Sequence, residues 1–547
     1  MRRFTMAYLL FIFAWLVACG GGGGSGGNAD STADAPVDET PAATVGEVGA
    51  ARFLDHATFG ARLDDIDALA PASDFDAWFA AQARAQPCLE SQRMAATVAA
   101  GTVAIQADRV EAWWYCAVRG DDQLRQRMAW ALSQIFVVSD QSNALGGHAD
   151  TLASYYDMLA QNALGNYRDL LGAVSRSVAM GLYLNMFGNR KADATLGTHA
   201  DENFARELMQ LFTVGLVRLN ADGSTQYGAD GKPLPTYSQT DVEQLARALT
   251  GWGFPGGNFV WGTPQWTVPM APTDSYHDSG AKTIIGNTSI PAGLGADAEL
   301  DMALDTLFHH PNVGPFIGRQ LIQRLVTSNP SPAYVARVAA AFDDNGRGVR
   351  GDLLAVAKAI LLDPEARTPG TGKLREPLLR VTQLWRLFDA RAGDGLYDFF
   401  LPDAVFAQAP LRSPSVFNFY RPDYQPPGEL TEARLAAPEM QILNESTVNS
   451  GGTALTFMGY LWRSSRGTSA PDDGSITLDF TPWEPLAADP DALVERLDLA
   501  LTGAQSSAAV RSLIADYVAA IPADQVEKRI GDATDLLLHA PQAVVQR

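Results

Sequence analysis

The chain has 547 residues, with 62 Asp plus Glu against 41 Lys plus Arg and a formal net charge of -21. Hydrophobic residues at 47% and charged residues at 19% are ordinary for a folded protein and exclude a disordered chain, and the length allows two or more cores or one large unit with subdomains. So acidic a chain repels phosphate backbones and anionic lipid surfaces at long range, which excludes nucleic acid as a general partner.

The first residues are the most informative short stretch. Arg2 and Arg3 precede an apolar run from Ala7 to Val17, about eleven residues and too short to span the ~30 Å of a bilayer core, so residues 1–18 are expected to be a signal peptide. Leu16-Val17-Ala18-Cys19 has the pattern of a lipobox, which predicts acylation of Cys19, with a plain secretory signal or a short membrane anchor as the alternatives. At ~0.8 kcal/mol per buried methylene, two or three acyl chains would hold the protein on an envelope membrane facing the extracytoplasmic side, outer membrane or periplasm in a Gram-negative cell.

Gly20 to Gly49 has almost no large apolar residue and is expected to be a flexible tether with a reach of about 30 Å. Within it, Gly23-Gly24-Ser25-Gly26-Gly27 formally matches a nucleophile elbow but lacks the strand and helix that the chemistry needs. With Cys19 assigned to lipid, Cys88 and Cys116 remain as a pair. In an oxidising compartment they are expected to form a disulfide, worth ~3 to 4 kcal/mol in the chain-entropy model, two buried free thiols being the alternative.

From Ala51 onward helical periodicity dominates. Asp121 to Val138 places Leu124, Met128, Ala131, Leu132 and Ile135 at three- and four-residue spacing behind an Asp that can cap the start. Similar spacing predicts helices within 152–164, 167–180, 202–214, 241–249, 301–308, 313–326, 334–342, 353–362, 377–388 and 493–501. The positive clusters Arg119 to Arg127 and Arg375 to Arg386 fall in such segments and are expected to be solvated faces.

Non-helical exceptions are local. Asn220-Ala221-Asp222-Gly223 and Asp230-Gly231 are turn signals, so Leu216 to Tyr237 is expected to be a hairpin between two helices. Gly251 to Pro272 is a long loop whose Trp252, Phe254, Phe259, Trp261 and Trp266 argue for ordered packing, and Asp403 to Gly428 is a second irregular, aromatic stretch. Gly, Ser and Asp density rises at Thr447 to Gly474. The expected architecture is mainly α: a large multi-helix domain over 50–450 with a small β-hairpin insertion and long aromatic loops, and a C-terminal helical segment, 451–547, packed on it.

Short metal, nucleotide and haem motifs are missing, no third cysteine serves a thiolate cage, and neither a metal nor a cofactor is expected. The remaining polar constellation spans two helices and the following loop. Glu202, Glu207 and Asp241 offer carboxylates as acid and base, His277 a ring held in one tautomer, and Arg206 or Arg247 a site for an anionic group. Its plainer alternative is an ion-pair and capping network, within which truncating an enclosed Arg206 would cost ~3 to 5 kcal/mol.

At these residues the chain resembles the bacterial domain-of-unknown-function family 1800. The resemblance is carried by Glu202-Asn203-Phe204-Ala205-Arg206-Glu207-Leu208, Leu211 to Gly215, Tyr237 with Asp241-Val242, Ala246 to Trp252, and His277-Asp278 with Lys282. Further pieces are Arg52-Phe53-Leu54 with Ala57 to Gly60, Ser413 to Tyr420 with Pro422, Pro438-Glu439 and Pro541 to Arg547; His539-Ala540-Pro541 departs from the usual Ser-Pro pair. It covers nearly all of the chain from Ala51.

The resemblance implies a mainly helical, exported protein acting with secreted partner proteins, and carries over no substrate or cofactor. It also implies that Glu202, Arg206, Glu207, Asp241, Arg247, Trp252, His277, Asp278 and Lys282 converge. Two functions follow as expectations: an envelope lipoprotein that binds a partner protein or glycan near the membrane, or a hydrolase acting on an extracytoplasmic polymer through carboxylate and histidine acid-base groups.

Overall fold

A computed structural model describes residues 44–547 apart from 73, 257–258, 371, 400 and 461–475. Cys19, its lipobox and the Gly-rich stretch up to residue 43 lie outside the described residues. The first helix, Gly46–Ala57, starts inside the segment expected to be tether. Val45 and Gly46 donate their amides to Ala72 and Ala70 at 2.8 and 2.9 Å, and Gly46 takes the left-handed φ of +73° that this entry requires.

The centre of the protein is built from helices that are buried all round. Every residue of Gln123–Ser133 is buried, as is all of Pro377–Leu387 except Arg380. Indole rings hold these helices to Gln106–Arg119: Trp113 lies 4.9 Å from Trp114 and 5.2 Å from Trp130, and Trp114 lies 5.0 Å from Trp385. Aromatic pairs of this kind add about 0.5–1.5 kcal/mol beyond their buried area.

The two arginine clusters are not solvated faces, and their positions correct that expectation. Arg125, Arg127, Arg375 and Arg386 are buried. The last carbonyls of a helix have no partner within it and carry the negative end of its dipole, and arginines supply what is missing at four helix ends. Arg125 donates to Ala160 at 3.3 Å, Arg127 to Arg324 at 2.8 Å, Arg380 to Leu538 at 2.7 Å and Arg386 to Val118 at 3.1 Å. These carbonyls close helices Ala149–Asn162, Val313–Leu325, Val526–Leu538 and Gln106–Arg119.

Residues after 476 share the core rather than lying on it. Leu493, Leu497, Ile530 and Leu537 belong to the same hydrophobic cluster as Phe53 and Trp130. Two short antiparallel pairings, Lys373–Leu374 with Val545–Gln546 and Arg391–Ala392 with Ile476–Thr477, tie this region to the central helices. The Cys88–Cys116 disulfide joins the chain before Glu90–Thr97 to helix Gln106–Arg119, with Cα atoms 5.5 Å apart.

Most predicted helices are present with shifted ends, and one is divided. Helix 167–180 breaks at Ser177 into Tyr167–Arg176 and Val178–Tyr183, because Ser177 is extended and the Arg176 carbonyl accepts from Met270 at 2.7 Å. The hairpin over Leu216 to Tyr237 has three arms instead of two. Gln226 donates to Arg218 at 2.8 Å, Leu234 to Gln226 at 2.9 Å and Arg218 to Leu234 at 2.8 Å, which closes a ring of backbone hydrogen bonds. In the aromatic loop, Trp252–Gly253 pairs with Ala271–Pro272; Trp252 and Phe259 are fully buried, whereas Trp261 is 75% exposed.

Candidate functional site

Helix Gln239–Ala248 organises the predicted site from its two ends. At the start, Asp241 completes a capping box: its Oδ2 accepts from the Ser238 amide and hydroxyl, each at 2.7 Å, while Ser238 Oγ accepts from the Asp241 amide at 3.3 Å. Asp241 is thereby committed to the helix start.

At the far end the chain turns on Thr250 and Gly251. Thr250 Oγ1 donates to the Arg247 carbonyl at 2.8 Å and accepts from the Asp278 amide at 2.9 Å. Gly251 has φ of +91°, and a Cβ there would meet His277 Cβ at 3.0 Å and the Thr273 carbonyl at 3.1 Å. Only glycine lets the loop that carries His277 approach this closely.

His277, Asp278 and Lys282 then meet Arg247 and a residue that sequence reasoning missed, Glu299 of helix Ala296–Phe308. His277 Nδ1 lies 2.9 Å from the Thr250 carbonyl, which requires a proton on Nδ1, and Nε2 faces Glu299 Oε2 at 3.4 Å. Lys282 Nζ donates to Glu299 Oε1 at 2.9 Å, to the Gly280 carbonyl at 2.8 Å and to the Asp278 carbonyl, so its three protons have three acceptors, and Glu299 Oε2 lies within ion-pair distance at 2.7 Å. Lys282 and Glu299 side chains are 0% exposed. The inner part of the cluster is closed to solvent, while Arg247 and Asp278 at its edge keep 30% and 19% of their side chains exposed.

Arg247 clamps Asp278 in a fork, Nε to Oδ2 at 2.8 Å and Nη2 to Oδ1 at 3.1 Å. Burial pushes the Asp278 carboxyl up, but the Arg247 hydrogen bonds, the Gly280 amide and the nearby charges outweigh it and hold the group below its ordinary value. The hydrogen bonds that Arg247 donates to Asp278 in turn raise Arg247 above its own.

Glu202, Arg206 and Glu207 stand apart from that cluster. Arg206 Nη2 pairs with Glu202 Oε2 at 2.9 Å, Gln239 donates to the same oxygen at 2.8 Å, and the Arg206 side chain is 39% exposed. Glu207 is buried with Oε2 unpartnered; burial pushes its carboxyl up against the opposing charge of Arg206. Trp252 lies in the core with the Arg176 guanidinium 5.6 Å from its ring. The predicted constellation is therefore divided into a largely enclosed ion cluster, a surface pair, a helix cap, a buried acid and a core indole.

An open cleft of about 580 Å³ lies beside these residues, lined by Asn185, Asn189, Arg190, Lys191, Asp201 and Tyr276 among others. Asp201 precedes Glu202 and Tyr276 precedes His277, so the segments that send Glu202 and His277 elsewhere present their preceding residues to the cleft. Asn189 is buried and fixes one wall, exchanging hydrogen bonds with the Asp201 backbone at 2.8 and 3.0 Å. Trp261 does not line the cleft itself, but its ring lies 5.9 Å from the guanidinium of Arg190, which does. A second groove of about 470 Å³ lies against Arg168, Arg176 and Trp266, and a small cavity of about 120 Å³ touches buried His56, whose ring burial pushes down to about 4.

Glu202, Glu207, Asp241 and His277 line none of these three cavities. Among the described residues, no three His, Cys, Asp or Glu side chains are grouped as a metal cage would need, and no helix is long and apolar enough to cross a membrane.

No match to a curated protein or to a solved structure was found. The family model for DUF1800, a protein of unknown function, matches residues 52–545, nearly the whole folded region described above. Because that match spans all but the first and last few residues of the described fold, the chain belongs to the DUF1800 family.

Proposed function

We propose that this protein is an envelope lipoprotein that binds a glycan in the cleft between Asn185 and Tyr276. One observation carries the reading: an open, polar cleft of about 580 Å³ whose lining residue Arg190 has an indole, Trp261, 75% exposed, 5.9 Å from its guanidinium. Sugar rings are bound by that combination, amide and carboxylate side chains for the hydroxyls and an aromatic face for the C–H bonds. The anchor at Cys19 and the tether after it would hold the cleft within reach of envelope polymers.

A hydrolase would need its carboxylates to face a shared opening about 5–9.5 Å apart. Asp241 is spent on a helix cap, Glu202 on Arg206, and Glu299 on Lys282. Binding without turnover fits those commitments better. A secreted partner protein, implied by the family, would then meet the complex from the solvent side.

The test is calorimetric titration of the protein with envelope oligosaccharides, comparing wild type with Trp261→Ala. Saturable binding weakened about tenfold or more by the substitution supports the proposal, in line with the ~1–3 kcal/mol typical of an interface aromatic anchor. Unaltered binding in Trp261→Ala, or release of reducing ends by the wild type, would count against it. Fractionation of Cys19→Ser tests the anchor: it should leave the membrane pellet, and persistence there would remove the lipid from the scheme.

A further inference from the structure

The cleft contains two cations whose surroundings are unusual for so acidic a chain. Arg190 and Lys191 are adjacent and both line it. Among the described ion pairs and side-chain hydrogen bonds, neither has a carboxylate partner, although carboxylates outnumber cations by 62 to 41 in the sequence. The cleft's own acids are occupied. Asp193 Oδ1 accepts from the amides of Thr195 and Leu196 at 2.8 and 3.2 Å. Asp201 accepts from the Asn203 amide at 2.9 Å and from Asn185 Nδ2 at 3.3 Å.

Arg190 is also held. Its guanidinium lies 5.2 Å from the Tyr276 ring, 5.5 Å from Phe259 and 5.9 Å from Trp261. Phe259 and Tyr276 are themselves stacked at 4.2 Å, and the Lys191 amide donates to the Tyr276 carbonyl at 2.8 Å, which ties both cations to the aromatic loop. Aromatic neighbours fix a guanidinium through its cation–π attraction and leave its N–H donors available, so the fork is ordered before any ligand arrives. A fork of that kind matches a carboxylate, sulfate or phosphate group in two parallel hydrogen bonds, and an ammonium beside it adds a second charge.

From this geometry we infer that the cleft selects an acidic glycan, a saccharide bearing a carboxylate, sulfate or phosphate, with Arg190 and Lys191 on the acid group and Trp261 against the ring. The inference rests on the glycan-binding reading above and names its substrate class. The net negative field of the protein would repel a free polyanion at long range, so selectivity comes from the short-range fork and is sensitive to salt.

The experiment is calorimetric titration of the protein with three oligosaccharide probes of equal length, neutral, uronate-bearing and sulfated, and with inorganic phosphate. Each is run at low and at physiological salt for wild type, Arg190→Ala, Lys191→Ala and Arg190→Lys. Expected is a preference of about tenfold or more for the acidic probes, lost in Arg190→Ala, reduced in Lys191→Ala and only partly restored by Arg190→Lys, because a lysine cannot form the fork. Arg190 and Lys191 are exposed, so the variants should keep the wild-type melting midpoint; where one does not, the other decides.

Equal affinity for neutral and acidic probes, unmoved in the variants, overturns the acidic selectivity and leaves the glycan reading standing. Inorganic phosphate binding as tightly as the acidic saccharides overturns the glycan portion in favour of a free anion. No binding by any saccharide overturns both.

Discussion

Glu299 Oε2 stands 2.7 Å from Lys282 Nζ and on its other side faces the His277 ring, with the lysine and glutamate side chains closed to solvent. A carboxylate placed between two basic groups in this way neutralises charge that the fold has already enclosed. Glu299→Ala would leave the buried Lys282 ammonium with only the Asp278 carboxylate at 3.9 Å as counter-charge, and removal of one partner of a buried pair costs about 3–5 kcal/mol. Denaturant midpoints should fall accordingly; a midpoint within error of wild type would show that carbonyl bonds from Gly280 and Asp278 suffice for Lys282.

Arg206→Ala should have little effect. The pair with Glu202 is a surface ion pair one helical turn apart, with the arginine 39% exposed, not the enclosed charge that the sequence allowed. Such pairs contribute about 0–1 kcal/mol, and less as salt screens them. A loss of several kcal/mol in urea denaturation would show that Gln239 and Glu202 form a stronger unit than their exposure implies.

Glu90 makes stability depend on pH. It is 1% exposed with both carboxyl oxygens unpartnered; burial first, then the Asp157 charge, push its carboxyl well above 4.5, and Arg109 opposes them only in part. The native state therefore keeps a proton that the unfolded state releases near pH 4.5, and stability contributed by this group declines as pH rises from there toward the native value. Glu90→Gln removes the titration. Urea midpoints at pH 5 and pH 8 should differ more for wild type than for the variant in the direction of acid stabilisation, and parallel profiles would contradict the assignment.

Reduction of Cys88–Cys116 should lower stability by about 3–4 kcal/mol, as expected for a loop of this length. The check is the denaturation midpoint with and without reductant, alongside mass spectrometry of alkylated thiols. Two free thiols in the unreduced, freshly isolated protein would remove the crosslink.

The helical architecture was legible because amphipathic spacing survives wherever one face of a helix stays wet. Enclosure was what the spacing did not show: Gln123–Ser133 and Pro377–Leu387 were legible as helices, but their arginines have the same spacing as solvated ones, and only the helix ends they meet, far away in sequence, explain them. His277, Asp278, Lys282 and Arg247 were found together, but Glu299 was missed because the spacing placed the start of its helix at 301, leaving this acid in the connecting segment before it. The cleft was not legible either, since its walls come from irregular segments around 185–201 and 275–276 that carry no period to read.

The anchoring of the first helix has a mechanical consequence. Val45 and Gly46 are bonded to Ala72 and Ala70, and Arg52 reaches the carbonyls of Arg367 at 3.0 Å and Arg547 at 3.3 Å. A pull arriving along the chain from residue 43 is thus met first by the bonds of Val45 and Gly46 and then, through Arg52, by residues hundreds of positions away. The proposed anchor and glycan cleft would place the chain under such a pull, and these bonds are what would keep its first helix docked.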